Sequence, residues 1–271
     1  MKRFRTFEHI IDDYKLNNVD LIKEELVLPL CHTTSFDVFD RYIANSDYIL
    51  EAFKGCEYHN NEKVIFMFYG NSAYFPPKDQ SDRFDSNLPV TLIYHEIEDI
   101  GEIKRMCCFD SGAYLNGRFD LNENGNKEPE NTLKDYIKES PDIQDIVAGV
   151  KALFENNENY LRSILKPIYN IKDKPHCTCL RTLNTLHSKT STRYGPQAFT
   201  FEVQISQKLN KEPDVLVLPY SEAQDEEAVL SWTEQFKGDI KVRVYDSFSN
   251  SVPAAYSQMR NEVFKYNLSL L

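Results

Sequence analysis

Glycine is scarce in this chain, with nine among 271 residues. None falls into the phosphate-cradling loop, the G-x-G-x-x-G fingerprint or the G-x-S-x-G elbow, and neither H-E-x-x-H nor an EF-hand loop occurs. Each of those patterns answers a physical need, such as backbone amides close to a phosphate or two histidines on one helix face. Without them, ordinary kinase, Rossmann oxidoreductase and hydrolase chemistry are not leading readings. Long hydrophobic runs are also missing. No stretch approaches the roughly 18 apolar residues that a spanning helix needs. The basic start Met1-Lys2-Arg3-Phe4-Arg5 has no apolar segment behind it. A soluble, unexported, cytoplasmic protein without membrane partners is expected.

Positive charge is in deficit, because 31 Lys and Arg face 42 Asp and Glu, a formal charge of −11. That field disfavours nucleic acid as a partner unless a local basic patch overrides it. Cysteine is thin for a disulfide scaffold: the six are Cys31, Cys56, Cys107, Cys108, Cys177 and Cys179. Reduced thiols are the expectation. His176-Cys177-Thr178-Cys179 has half of a metal clip, but no second pair follows it, so the sequence predicts no metal site.

What the chain does have is a globular composition, 41% hydrophobic and 13% aromatic, enough to bury a sizeable core. Two apolar runs stand out. Leu26-Val27-Leu28-Pro29-Leu30-Cys31 stops at His32-Thr33-Thr34-Ser35, and Val64 to Tyr69 leads into Gly70-Asn71-Ser72-Ala73-Tyr74. A buried strand that ends in polar groups is a common way to deliver reactive side chains to a pocket rim. Further strands are predicted at Pro89–Tyr94, Ile103–Phe109, Asp214–Pro219 and Ile240–Tyr245. Helical spacing marks residues 6 to 25, Phe36 to Ile43, Ile143 to Phe154, and a final segment from about Pro253 to Tyr266. Leu133, Tyr136 and Ile137 suggest another helix, as do Tyr160 to Leu165. A further helix is expected around Val229, Leu230 and Trp232. Asp110-Ser111-Gly112-Ala113-Tyr114 reads as a turn. The proline-containing stretch from Phe75 to Pro89 is either filler or a lid.

Gln197 to Ile205 alternates strictly, putting Phe199, Phe201, Val203 and Ile205 on one face and Thr200, Glu202 and Gln204 on the other. Glu202 is thus expected mid-strand on a polar, solvent-facing side. The combined reading is an α+β protein with a mixed or antiparallel central sheet, flanking helices and a C-terminal α/β element. Residues 1–211 would form the main domain and 212–271 an element packed on it, or the two would form one domain.

The spread of a histidine with hydroxyls on one strand, tyrosines on a second and a glutamate on a late strand resembles the ADP-ribosyltransferase-like fold, in its histidine–tyrosine–glutamate class. The resemblance covers roughly residues 26 to 205. It implies a split sheet and NAD as substrate. His32 and Thr33 would orient NAD, Tyr69 or Tyr74 would stack on nicotinamide, and Arg193 would contact the diphosphate. Glu202, with His32, would be catalytic, stabilising positive charge that develops on the ribose. The sequence departs from the family pattern at Thr33, where glycine is usual, and at Thr200, where the arginine-dependent class carries Gln or Glu. Thr190-Ser191-Thr192 only loosely echoes the family's serine-threonine strand motif.

Two other classes fit the same residues. In a non-enzymatic binding module, His32 and the tyrosines would be structural and Glu202 a solvated strand residue. A nuclease or phosphoesterase would instead use His32, His95 and Asp110. The sequence is silent on the acceptor of any transfer, on oligomeric state and on a neutralising partner.

Overall fold

A computed structural model describes residues 6–44, 50–52, 55–56, 59–72, 87–115, 130–166, 180, 183, 200–220, 234, 236, 239–247 and 252–271. In chain order the elements are α1 (Phe7–Asn17), α2 (Val19–Lys23), β1 (Leu30–Ser35), α3 (Phe36–Ala44), β2 (Leu50–Glu51), β3 (Ile65–Tyr69) and β4 (Pro89–Tyr94). There follow a 3-10 turn (Ile97–Asp99), β5 (Ile103–Cys107), α4 (Ser111–Leu115), a second 3-10 turn (Glu130–Asp135), β6 (Ile137–Glu139), α5 (Ile143–Phe154) and α6 (Asn157–Leu161). The chain ends with β7 (Glu202–Ile205), β8 (Lys208–Leu209), β9 (Val215–Pro219), β10 (Lys241–Tyr245) and α7 (Val252–Leu268). The protein is mixed α+β. No helix of the described residues is long and apolar enough to cross a membrane.

Two compact units form, one from residues 1–27, 102–204 and 271, the other from 28–101 and 205–270. Residues 212–270 therefore share a unit with 28–101. In the first unit β5 lies between β7 and β6, and β5 runs antiparallel to β6 with Arg105 opposite Glu139 and Cys107 opposite Ile137. Helix α5 starts at a reciprocal capping box, in which Asp142 accepts from the Asp145 N–H and Asp145 accepts from the Asp142 N–H. Such a box satisfies two amides that a helix start otherwise leaves unpaired.

Most of α5 is buried, and Gly149 is where it meets aromatic rings closely. A Cβ there would lie 2.9 Å from Phe201 Cε2 and 3.4 Å from Phe7 Cζ. The Phe201 ring sits 5.4 Å from Phe7, 5.2 Å from Tyr160 and 6.0 Å from Phe154, centroid to centroid. The Phe201 N–H also donates to the Tyr160 hydroxyl at 2.9 Å. The residue that precedes β7 is thus fixed by both its side chain and its backbone.

In the second unit the strand order is β10, β9, β4, β1, β3. Pairing is antiparallel from β3 through β1 and β4 to β9, and parallel between β9 and β10. This mixed sheet packs Cys31, Ile93, Val215 and Val217 against Ala255, Tyr256, Met259 and Val263 of α7. A short antiparallel pair, β2 with β8, completes the unit.

Several local expectations change. β1 runs from Leu30 to Ser35, so His32, Thr33, Thr34 and Ser35 lie inside the strand instead of beyond its end. All four pair in register with β4, and exposed Leu26 falls outside the strand. Ile137, expected in a helix, lies in β6, because only a 3-10 turn precedes it. Asp110 to Tyr114 forms not a free turn but the start of α4, with Asp110 Oδ1 accepting from the Ala113 N–H at 2.7 Å. The helix expected through Tyr160 to Leu165 stops at Leu161. The lid reading of residues 75–89, the helix around Trp232 and the half metal clip at 176–179 lie outside the described residues, apart from residues 87–89.

A buried carboxyl as the candidate functional site

Glu202 opens β7, and it is buried where a solvent-facing position was expected. It is 1% exposed, as is Gln204, while Thr200 is 2% exposed. Alternation of polar and apolar residues ordinarily marks outside and inside, yet both sides of this strand are covered. The polar side can be buried because its groups find partners. Ser111 donates its backbone N–H to Glu202 Oε2 at 2.9 Å and its hydroxyl to Oε1 at 2.7 Å. Gln204 Nε2 donates to the same Oε1 at 2.7 Å.

The donors are themselves held. Ser111 begins α4 just after β5, and the link between them is pinned where the Cys108 N–H donates to the Tyr136 carbonyl at 3.2 Å. The Phe109 ring is tilted against Tyr114 and Tyr136, with centroids 5.1 Å and 4.9 Å away. On β5, Arg105 Nη1 donates to Gln204 Oε1 at 3.1 Å, and its Nε lies 3.2 Å from the Glu139 carboxylate on β6.

Burial pushes the Glu202 carboxyl up to about 7, and the nearby Asp110 carboxylate pushes in the same direction, against the hydrogen bonds from Gln204 and Ser111. A carboxyl poised there exchanges a proton near neutrality, and ionised it is a fixed negative charge in a dry setting.

The other predicted site residues in the described chain belong to the second unit. His32 Nδ1 lies 3.0 Å from the Phe66 carbonyl oxygen, and since a carbonyl can only accept, Nδ1 carries the proton. Burial lowers the His32 pKa from its ordinary value, while the Phe66 bond opposes that. The Thr33 hydroxyl lies 3.0 Å from that of Thr91, which donates to Met259 Sδ. Tyr69 is fully buried, and its hydroxyl accepts from the Leu28 N–H at 2.9 Å. Tyr74 and Arg193 lie outside the described residues.

His95 follows β4 directly and is satisfied by its neighbours. Its N–H donates to Asp214 Oδ2 at 2.7 Å, its carbonyl accepts from Lys211 Nζ at 2.8 Å, and its Nε2 lies 2.8 Å from the Tyr266 hydroxyl. Among the described residues no group of three His, Cys, Asp or Glu could hold a metal ion.

Sequence reasoning singled out Glu202 but passed over Ser111, Asp110, Gln204 and Arg105 as its surroundings. One signal was legible, since Gln204 shares a strand face with Glu202. No protein-family model, curated protein or solved structure matches this chain.

Proposed function

We propose that this protein cleaves the nicotinamide–ribose bond of NAD, with transfer of ADP-ribose to an acceptor or to water, and that Glu202 is the carboxylate that serves the reaction. The observation that supports it is the carboxyl held by three hydrogen bonds in a dry interior. When the bond breaks, its electron pair leaves with nicotinamide and positive charge develops at the ribose. The acceptor then adds to that carbon and gives up a proton. A carboxylate already oriented stabilises such charge without reorganisation. The nicotinamide of NAD is itself cationic, and a cation brought near Glu202 favours its ionised form.

One observation favours a second reading: at 1% exposure Glu202 is already satisfied by its own neighbours, as a purely structural carboxyl would be. The chain would then be a non-enzymatic binding module. Calorimetry with millimolar NAD, followed by a nicotinamide-release assay on wild type and Glu202→Ala, separates the two. The NAD reading expects binding, and release that Glu202→Ala abolishes. No binding, or release unchanged in the variant, overturns it.

A further inference from the structure

We infer that Arg105 and Gln204 are positioning residues that hold Glu202 competent to ionise, acting in series from β5 through β7. Arg105 is donor-only, so the Gln204 atom facing it at 3.1 Å must be the carbonyl oxygen. The amide's other end is then obliged to be NH2, and that end meets Glu202 Oε1 at 2.7 Å. The orientation follows from Arg105 and not from an arbitrary choice between two similar atoms. The Ser111 N–H at Oε2 is the second obligatory donor. The Ser111 hydroxyl at Oε1 is not obligatory, because it can rotate to donate or accept.

Two fixed donors aimed at a carboxyl favour its charged form, and they work against burial and against Asp110. Among the described residues, the charged groups that act on this chain of contacts are Asp110, between β5 and α4, Arg105 on β5, and Glu139 on β6, which ion-pairs with Arg105. Arg105 is linked to Glu202 by way of the Gln204 amide. Remove Arg105 and the amide loses the donor that fixes its oxygen end, so that turned over it would present oxygen to a carboxyl that must then keep its proton. The catalytic meaning of this chain of contacts rests on the NAD reading, but the ionisation of Glu202 does not.

The test is a pH titration of the Glu202 side-chain carboxyl by NMR on isotope-labelled glutamate, assigned by loss of the signal in Glu202→Gln. Arg105→Met and Gln204→Leu should each raise the midpoint by about one unit, a roughly tenfold fall in the ratio of ionised to protonated form at fixed pH. Arg105→Lys, which keeps a donor, should stay near wild type. The double variant should match Gln204→Leu alone, since a series arrangement is not additive. An unchanged midpoint in Arg105→Met overturns the inference, as do additive shifts in the double variant. Should a variant not fold, the wild-type Gln204 side-chain amide decides instead. Its resonances should titrate with Glu202, and amide signals that ignore Glu202 overturn the inference. Because no NAD is present, failure here is distinct from failure of the proposed reaction.

Discussion

A carboxyl with a folded pKa near 7 and an ordinary value of 4.5 leaves a mark on stability as well as on chemistry. Between those two values the folded protein holds the proton and the unfolded chain does not. Stability from this group is therefore present at low pH and is lost as pH rises from about 4.5 toward about 7. The full span is on the order of 3 kcal/mol. Denaturant unfolding at pH 5 and pH 8 should show that Glu202→Gln removes this part of the pH dependence, whatever it does to absolute stability. A variant with the wild-type slope would contradict the assigned burial. His95 acts in the opposite sense. Burial chiefly lowers its pKa, aided by Lys211 and Lys241 and opposed by Asp214 and Glu96. The unfolded chain then binds a proton that the folded one resists, so stability falls as pH drops below the ordinary 6.5. His95→Gln should lose that acid sensitivity, and retention of it would assign the effect elsewhere.

Helix α5 sets two effects of similar size against each other at Gly149. Alanine would gain about 1 kcal/mol in helix propensity. Its methyl would stand 2.9 Å from Phe201 Cε2, and overpacking of that kind costs roughly 1–3 kcal/mol. Phe201 cannot step aside cheaply, because three rings and the Tyr160 hydroxyl hold it. Gly149→Ala should be destabilising in chemical unfolding; a stabilised variant would show that the ring yields. At the same helix's start, Asp142→Ala removes the capping box and should cost about 1 kcal/mol, measured the same way. These elements also show what was legible beforehand. The apolar spacing of α5 and the run of β4 announced themselves because burial there follows one simple pattern. Ile137 did not, since three residues of strand beside a 3-10 turn leave no period to count. His32 to Ser35 misled because polar residues ordinarily end a strand, whereas here pairing with β4 carries them along. Glu202 was found by its place in an alternating run, but its burial depends on Ser111, far away in sequence, and no local pattern encodes that meeting.

At the scale of the whole chain, the second unit is closed by its last helix. α7 reaches back across the sequence: Asn267 donates to the Gly70 carbonyl 197 residues away, Tyr266 meets His95 across 171, and Thr91 meets Met259 across 168. Non-local closure of this kind delays the reward for ordering the strands until the end of the chain is in place. Met259, Val263 and Ala255 are fully buried against the sheet, so without α7 an apolar face lined by Ile93, Val215 and Val217 would meet water. Cys31 reports on this directly. It lies in the same cluster, and burial pushes its thiol up to about 12, so the thiolate that reacts is nearly absent at neutral pH. A chain ending at residue 251 should label rapidly at Cys31 with a thiol reagent, read by peptide mass spectrometry, whereas the full chain labels there only on unfolding. It should also bind a hydrophobic dye and lose near-ultraviolet dichroism. Continued protection of Cys31 together with a sharp unfolding transition would mean that the five strands hold their core without the helix, and that the contacts from Asn267 and Tyr266 secure the helix and not the sheet.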